Sequence, residues 1–209
     1  MTIYVLRHGE TALNAKGVMQ GWINEPLNRN GRALAAATGK AMKEKGIRFD
    51  FCFSSPLARA RETVEIVLRE SGNEIPVSFD DRIREINFGD LEGKTFAGMG
   101  EAGTLFFHDP FRLPGFPNGE SVRDVCARTQ AFLREVIVRD DGKTWLIGTH
   151  GCAARAMLNF LYDDPSDFWQ GHAPYNCSVN IVEAEAGVPR LAAIDRVYYD
   201  PKLIVDHYK

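Results

Sequence analysis

The sequence predicts an α/β fold, with a mostly parallel central sheet flanked by helices on both faces and an inserted lid segment. Three observations lead there. Short apolar runs alternate with helix-patterned stretches along the chain. Two of those runs, Ile3-Tyr4-Val5-Leu6 and Trp145-Leu146-Ile147-Gly148, lead directly into loops that carry a histidine. Residues 88–118, punctuated by glycines, prolines and phenylalanines, break the alternation. Ligands of open α/β sheets bind beyond the carboxyl ends of strands, so both histidines are expected at one crevice.

Each element follows from local pattern. After the first strand, Pro26 and residues 28–31 read as loop and cap, and residues 32–45, rich in Ala, Leu, Met and Lys, as a helix stopped by Gly46. Asp50-Phe51-Cys52-Phe53 predicts a short strand. Ser54-Ser55-Pro56 then opens a helix to about Glu70, with the proline in its first turn. Residues 75–86 look extended with turns. Residues 120–139 return to helical periodicity, with Val122, Val125, Cys126, Thr129, Phe132, Leu133, Val136 and Ile137 on one face. A helical pattern over 152–161 follows the second histidine, and residues 178–183 and 190–199 predict two strands around Glu185-Ala186-Gly187. No repeat or linker divides the chain, so residues 1–209 are expected to form one domain, with residues 88–118 as a lid or cap within it.

Composition narrows the function. The chain has 209 residues, 44% hydrophobic and 25% charged, with a formal charge of −3. That is an ordinary globular balance and lacks the basic surplus of a nucleic-acid binder. No run approaches the roughly 18 apolar residues needed to span a bilayer, and the first residues enter a strand directly; a cytoplasmic protein is expected, without membrane partners. Cys52, Cys126, Cys152 and Cys177 show no C-x-x-C spacing, which predicts reduced, buried thiols, although Cys152 near a helix start invites a more acidic thiol. His108, His172 and His207 have no metal-ligand spacing and read as structural or surface residues, so neither a metal nor a cofactor is expected. Oligomeric state is not legible; a homodimer is compatible. Trp22, Phe106 and Tyr175 would suit a pocket or a partner surface.

The chemistry-bearing residues sit at four junctions. Arg7-His8-Gly9-Glu10 follows the first strand, Thr149-His150-Gly151 a later one, and Arg59 lies just inside the helix opened at Ser54, where a guanidinium and helix N–H groups suit phosphate oxygens. Glu85 precedes Gly89 and Gly93, as a candidate proton donor. Gly89-Asp90-Leu91-Glu92-Gly93-Lys94-Thr95 mimics a nucleotide-binding loop but has three residues between its glycines where that motif needs four. No cysteine is followed by arginine at the spacing of a cysteine phosphatase.

The ordered set Arg7-His8-Gly9-Glu10-Thr11, Asn14, Leu57-Ala58-Arg59-Ala60, Glu85 with Gly89 and Glu92-Gly93, and Thr149-His150-Gly151 resembles the histidine phosphatase superfamily, also called the phosphoglycerate mutase-like family. The resemblance covers nearly the whole chain. It implies a metal-independent phosphomonoesterase acting on a small-molecule phosphate monoester through a phosphohistidine on His8. Arg7, Arg59 and His150 would bind the phosphoryl group, Asn14 would add a hydrogen bond, and Glu85 would be the general acid. Gln20-Gly21 looks like the family's phosphate-pocket loop.

Two alternatives stand beside that reading. A phosphoglycerate mutase must hold a highly charged bisphosphate and shield its phosphoenzyme from water, so its lid should be basic. Residues 94–118 carry only Lys94 and Arg112 as cations, offset by Glu101 and Asp109, and are rich in Phe96, Phe106, Phe107, Phe111 and Phe116. That composition favours a phosphatase with an apolar or aromatic leaving group. A non-catalytic phosphate-binding module on the same fold would need the arginines but neither His8 nor Glu85.

Overall fold

The structure, a computed structural model, describes residues 1–139 and 142–205. In chain order the elements are β1 (Thr2–Arg7), α1 (Arg29–Glu44), β2 (Phe51–Ser54), α2 (Ala58–Ser71), β3 (Val77–Phe79), α3 (Gly100–His108), α4 (Val122–Val138), β4 (Thr144–Thr149), α5 (Gly151–Leu158), β5 (Val179–Glu185) and β6 (Val188–Arg196). The strands form one sheet in the order β3-β2-β4-β1-β5-β6. β3, β2, β4 and β1 pair in parallel, whereas β5 runs antiparallel to both β1 and β6. The sheet is therefore mostly parallel, as expected.

Strand alternation explains why both faces are covered. Leu6 and Leu146 point into a cluster with Leu34, Val64, Val67 and Leu68 of α1 and α2. Ile3, Val5, Trp145 and Ile147 point the other way, against Phe132, Leu133 and Val136 of α4 and Ala154, Met157 and Leu158 of α5. Each central strand is thus apolar on both sides, and burial in this doubly covered geometry is what makes the runs at 3–6 and 145–148 continuous rather than alternating. Every residue of the predicted α4 face is buried except Cys126, which is half-buried.

Several boundaries differ from expectation for local reasons. α1 begins at Arg29, three residues early, because the Asn28 side chain accepts from Gly31 N at 2.8 Å and draws the residues read as a cap into the helix. Pro56 lies before α2 instead of in its first turn: Ser55 Oγ accepts the Leu57 N–H at 3.3 Å, and Leu57 remains extended, so α2 opens at Ala58. The helical pattern at 152–161 is α5 followed by a 3-10 turn, Asn159–Leu161. Ala186 and Gly187, with φ of 50° and 75°, form the tight turn between β5 and β6.

Residues 88–118 contain α3 and short 3-10 turns. Their phenylalanines build a third apolar cluster, in which Phe88, Phe106 and Phe116 pack with Val122 and Val125 of α4, Cys152, Ala153 and Ala156 of α5, and Phe168 and Trp169. His207 lies outside the described residues. Among those residues no helix is long and apolar enough to cross a membrane.

Candidate active site

β1, β4 and β2 are adjacent, and their carboxyl ends deliver His8, His150 and, through the turn into α2, Arg59 to one place. The His8 and His150 ring centroids are 5.1 Å apart. A cleft of about 440 Å³ opens above them, lined by the expected Arg7, His8, Asn14, Gln20, Gly21, Arg59 and Glu85. His150 is fully buried behind His8 and does not line it. The apolar wall is formed by Phe106 and Phe107 of the expected lid together with Met19, Phe88 and Trp169, which sequence reasoning missed.

The turn after β1 is held by close backbone contact. A Cβ on Gly9 would lie 2.7 Å from the Gly31 carbonyl oxygen, and one on Gly31 would lie 2.1 Å from that of Glu10, so only glycine lets α1 dock against the histidine loop. Glu10 accepts from Asn28 Nδ2 at 2.6 Å, a scaffold contact away from the cleft. Asn176 Nδ2 donates to the His8 carbonyl at 3.1 Å.

His8 Nδ1 lies 2.7 Å from the Gly9 carbonyl oxygen. A carbonyl only accepts, so Nδ1 carries the proton and Nε2 keeps the lone pair. Arg59 Nε donates to that Nε2 at 3.3 Å. Burial, then the Arg59 and Arg7 guanidinium groups, holds the His8 pKa well below the usual imidazole value, which favours the neutral ring. Burial also lowers the His150 pKa strongly, with Arg59, His8, Arg128 and Arg7 adding to it. His150 Nε2 is 2.8 Å from Ser55 Oγ, while its buried Nδ1 has no hydrogen-bond partner among the described residues.

The arginines are themselves positioned. Arg59 Nη1 and Nη2 each donate at 2.7 Å, to the carbonyls of Ile23 and Gly21. Arg59 thereby shapes the 20–23 loop as well as facing His8. Gly21 has φ of 52°, and a Cβ there would meet Glu92 Oε1 at 2.2 Å. Arg7 Nη1 donates to the Pro174 carbonyl. Asn14 Oδ1 accepts from Thr11 N at 3.2 Å, and Gln20 Oε1 from Thr11 Oγ1 at 3.0 Å, which ties both to the first loop.

One expectation about a helix start is corrected. The first N–H of α2 donates to Asn24 Oδ1 at 2.6 Å, so that end of the helix does not face the cleft as a bare anion site. The start of α5 faces the Glu85 carboxyl group, whose oxygens accept from Cys152 N at 3.3 Å and Ala153 N at 3.0 Å. Cys152 is buried, as expected of the four thiols, and burial and the neighbouring Glu85 push its pKa well above the ordinary value. Trp22 donates Nε1 to the Glu85 carbonyl at 2.8 Å, and Tyr175 stacks on His172 at 4.6 Å. Among the described residues no group of three or more His, Cys, Asp or Glu side chains converges as a metal site would require.

This geometry has clear relatives. The description of the histidine phosphatase superfamily (branch 1) matches residues 3–196. Two curated relatives are named 2,3-bisphosphoglycerate-dependent phosphoglycerate mutase. That of Methylobacterium sp. (strain 4-46) is 34% identical, covering 76% of this chain and 79% of its own, and that of Lachnoclostridium phytofermentans is 32% identical, covering 83% of each. Among solved structures, Bacillus stearothermophilus YhfR superposes with a TM-score of 0.84 at 33% identity, covering 100% of this chain and 99% of that one. A mycobacterial glucosyl-3-phosphoglycerate phosphatase shares the fold, with a TM-score of 0.80 at 24% identity over 93% and 98% of the two chains. With two buried imidazoles and two arginines converging at the strand ends, and a match across nearly its whole length, the chain belongs to the histidine phosphatase superfamily, as a phosphatase or mutase.

Proposed function

We propose that this chain is a phosphomonoesterase that hydrolyses a small-molecule phosphate ester with an apolar or aromatic alcohol portion. The observation that carries the proposal is the make-up of the cleft. Arg7 and Arg59 are its only lining cations among the described residues, and Met19, Phe88, Phe106, Phe107 and Trp169 form the wall beside them. One phosphoryl group matches two guanidiniums. A bisphosphate, as a mutase requires, would find no further cation there: Lys94 is exposed, and Arg112 stands in solvent near Asp109.

In the proposed reaction, His8 Nε2 forms a bond to phosphorus as the ester P–O bond breaks. The contact from Arg59 Nε passes from Nε2 to a phosphoryl oxygen, and Arg7 supplies further positive charge where the transition state is most negative. The family resemblance adds a phosphoryl contact from His150, whose ring centroid is 5.1 Å from that of His8. Glu85 protonates the departing alkoxide, then takes a proton from the water that attacks phosphohistidine, releasing phosphate and restoring His8. Asn14, Gln20 and Gly21 shape the phosphate end, and residues 88–118 act as the lid over the alcohol end.

Hydrolysis of p-nitrophenyl phosphate and isomerisation of 3-phosphoglycerate, each measured in excess EDTA, test the assignment. Hydrolysis that persists, with phosphate-labelled protein lost in His8→Ala, is expected. Isomerisation faster than hydrolysis would instead establish the mutase reading that the names of the curated relatives favour. Binding of phosphate with no turnover of any ester would reduce the chain to a binding module.

A further inference from the structure

We infer that Arg128, one turn and more into α4 and outside the cleft, is a positioning residue that sets the reach of Glu85. The inference rests on Glu85 as the proton donor. Glu85 lies on a segment with no strand partner: after β3 come a 3-10 turn, Asp81–Ile83, and irregular backbone through residue 88. Carbonyls in such a stretch have no ladder to satisfy them, and leaving them bare beside the core is costly.

Arg128 supplies what a sheet would. Its Nη1 donates to the carbonyls of Arg82 and Arg84 at 2.8 and 2.7 Å, and its Nη2 to that of Glu85 at 2.9 Å. Glu120 orients the guanidinium from the far side, taking Nε at 2.7 Å and Nη2 at 2.8 Å. Glu120 Oε2 also accepts the Asn87 N–H at 2.9 Å, so the ion pair holds the segment on both sides of Glu85. One planar guanidinium therefore spans three carbonyls within four residues, a geometry that a lysine ammonium cannot reproduce. The carboxylate ahead of it is docked on the start of α5, and the backbone behind it is fixed on α4.

The consequence falls on one step. A displaced Glu85 affects proton delivery to the leaving group and leaves His8, Arg7 and Arg59 where they are. Arg128→Lys is therefore expected to lower kcat at least about tenfold for an alkyl phosphate, whose alkoxide needs a proton, and less than about threefold for p-nitrophenyl phosphate, whose phenolate does not, with KM unchanged for both. In a Glu85→Gln background the same change should add no further loss on the alkyl ester. Equal losses on the two esters, or full additivity with Glu85→Gln, would overturn the inference. Should Arg128→Lys fail to fold, Glu120→Gln, which keeps the guanidinium but loosens its orientation, carries the same expectation and the same refutation. If Glu85→Gln alone slows both esters equally, the assignment of Glu85 as the acid fails, and the clamp falls with it.

Discussion

Replacing His8 by glutamine should change how stability depends on pH, in a direction that the structure sets. His8 and His150 are both buried, with pKa values well below the ordinary 6.5, and in the unfolded chain both return to that value. The unfolded state therefore binds more protons than the native state below pH 6.5, so the stabilisation is complete above that pH and is lost as pH falls through it. Each ring contributes a slope of up to about 1.4 kcal/mol per pH unit once the unfolded imidazole is protonated, and integrates to at most about 2 kcal/mol between pH 7.5 and 5, the limit for a ring that stays neutral in the native state. Together they should remove at most about 4 kcal/mol over that range, a large share of a typical domain's 5–15 kcal/mol. Urea unfolding at half-unit pH intervals measures this, with m held constant as the check on two-state behaviour. His8→Gln, whose side chain does not titrate, should lose less than the wild type over the same range, by up to about 2 kcal/mol. Carboxylate contributions cancel in that difference. Parallel pH curves for the two proteins would refute the claim that His8 is held neutral by its surroundings.

The same lowered pKa predicts that kcat/KM for p-nitrophenyl phosphate shows no loss near pH 6.5 from His8 protonation; an acid limb centred there and abolished by substituting neighbours of His8 would count against it. Gly21→Ala meets Glu92 Oε1 and a positive φ, and should cost about 1–3 kcal/mol of stability and roughly tenfold in kcat/KM by moving the loop that Arg59 holds, measured by thermal melting and steady-state kinetics. Phe106→Ala removes a fully buried ring from the cluster shared with Phe88, Phe116 and Trp169; a loss of about 3–5 kcal/mol is expected, together with a reduced preference for aromatic over aliphatic esters. Burial raises the Cys126 thiol to about 11 and the Cys52 and Cys177 thiols to about 12, so iodoacetamide at pH 8 should leave the native protein unlabelled and active; rapid inactivation would contradict this.

The framework was legible where one local pattern dictates one outcome. The runs before His8 and His150 are apolar on both sides because helices cover both faces, and the histidines follow directly at the strand ends. Arg59 and Glu85 were legible from residue type and position at junctions. What stayed hidden depends on contacts between distant residues. Phe106 and Trp169 meet across 63 positions through the indole N–H and the Phe106 carbonyl, and no periodicity connects them. Arg128 sits on a helix face read only for its apolar neighbours, and its partners at Arg82, Arg84 and Glu85 are brought to it by irregular backbone. Pro56 was misplaced because a serine hydroxyl two residues ahead of Leu57 competes with the helix for its N–H.

The strand order carries a consequence for how the protein comes into being. β1 lies beside β4, with Thr2 opposite Thr144, and β4 in turn separates β1 from β2. During synthesis the first strand must therefore wait until Thr149 has left the ribosome before its central neighbour is complete, and such long-range closure is intrinsically slow. The two imidazoles and Arg59 remain strangers until that insertion occurs, so catalytic competence arrives late and all at once, and no shorter nascent chain is a working fragment.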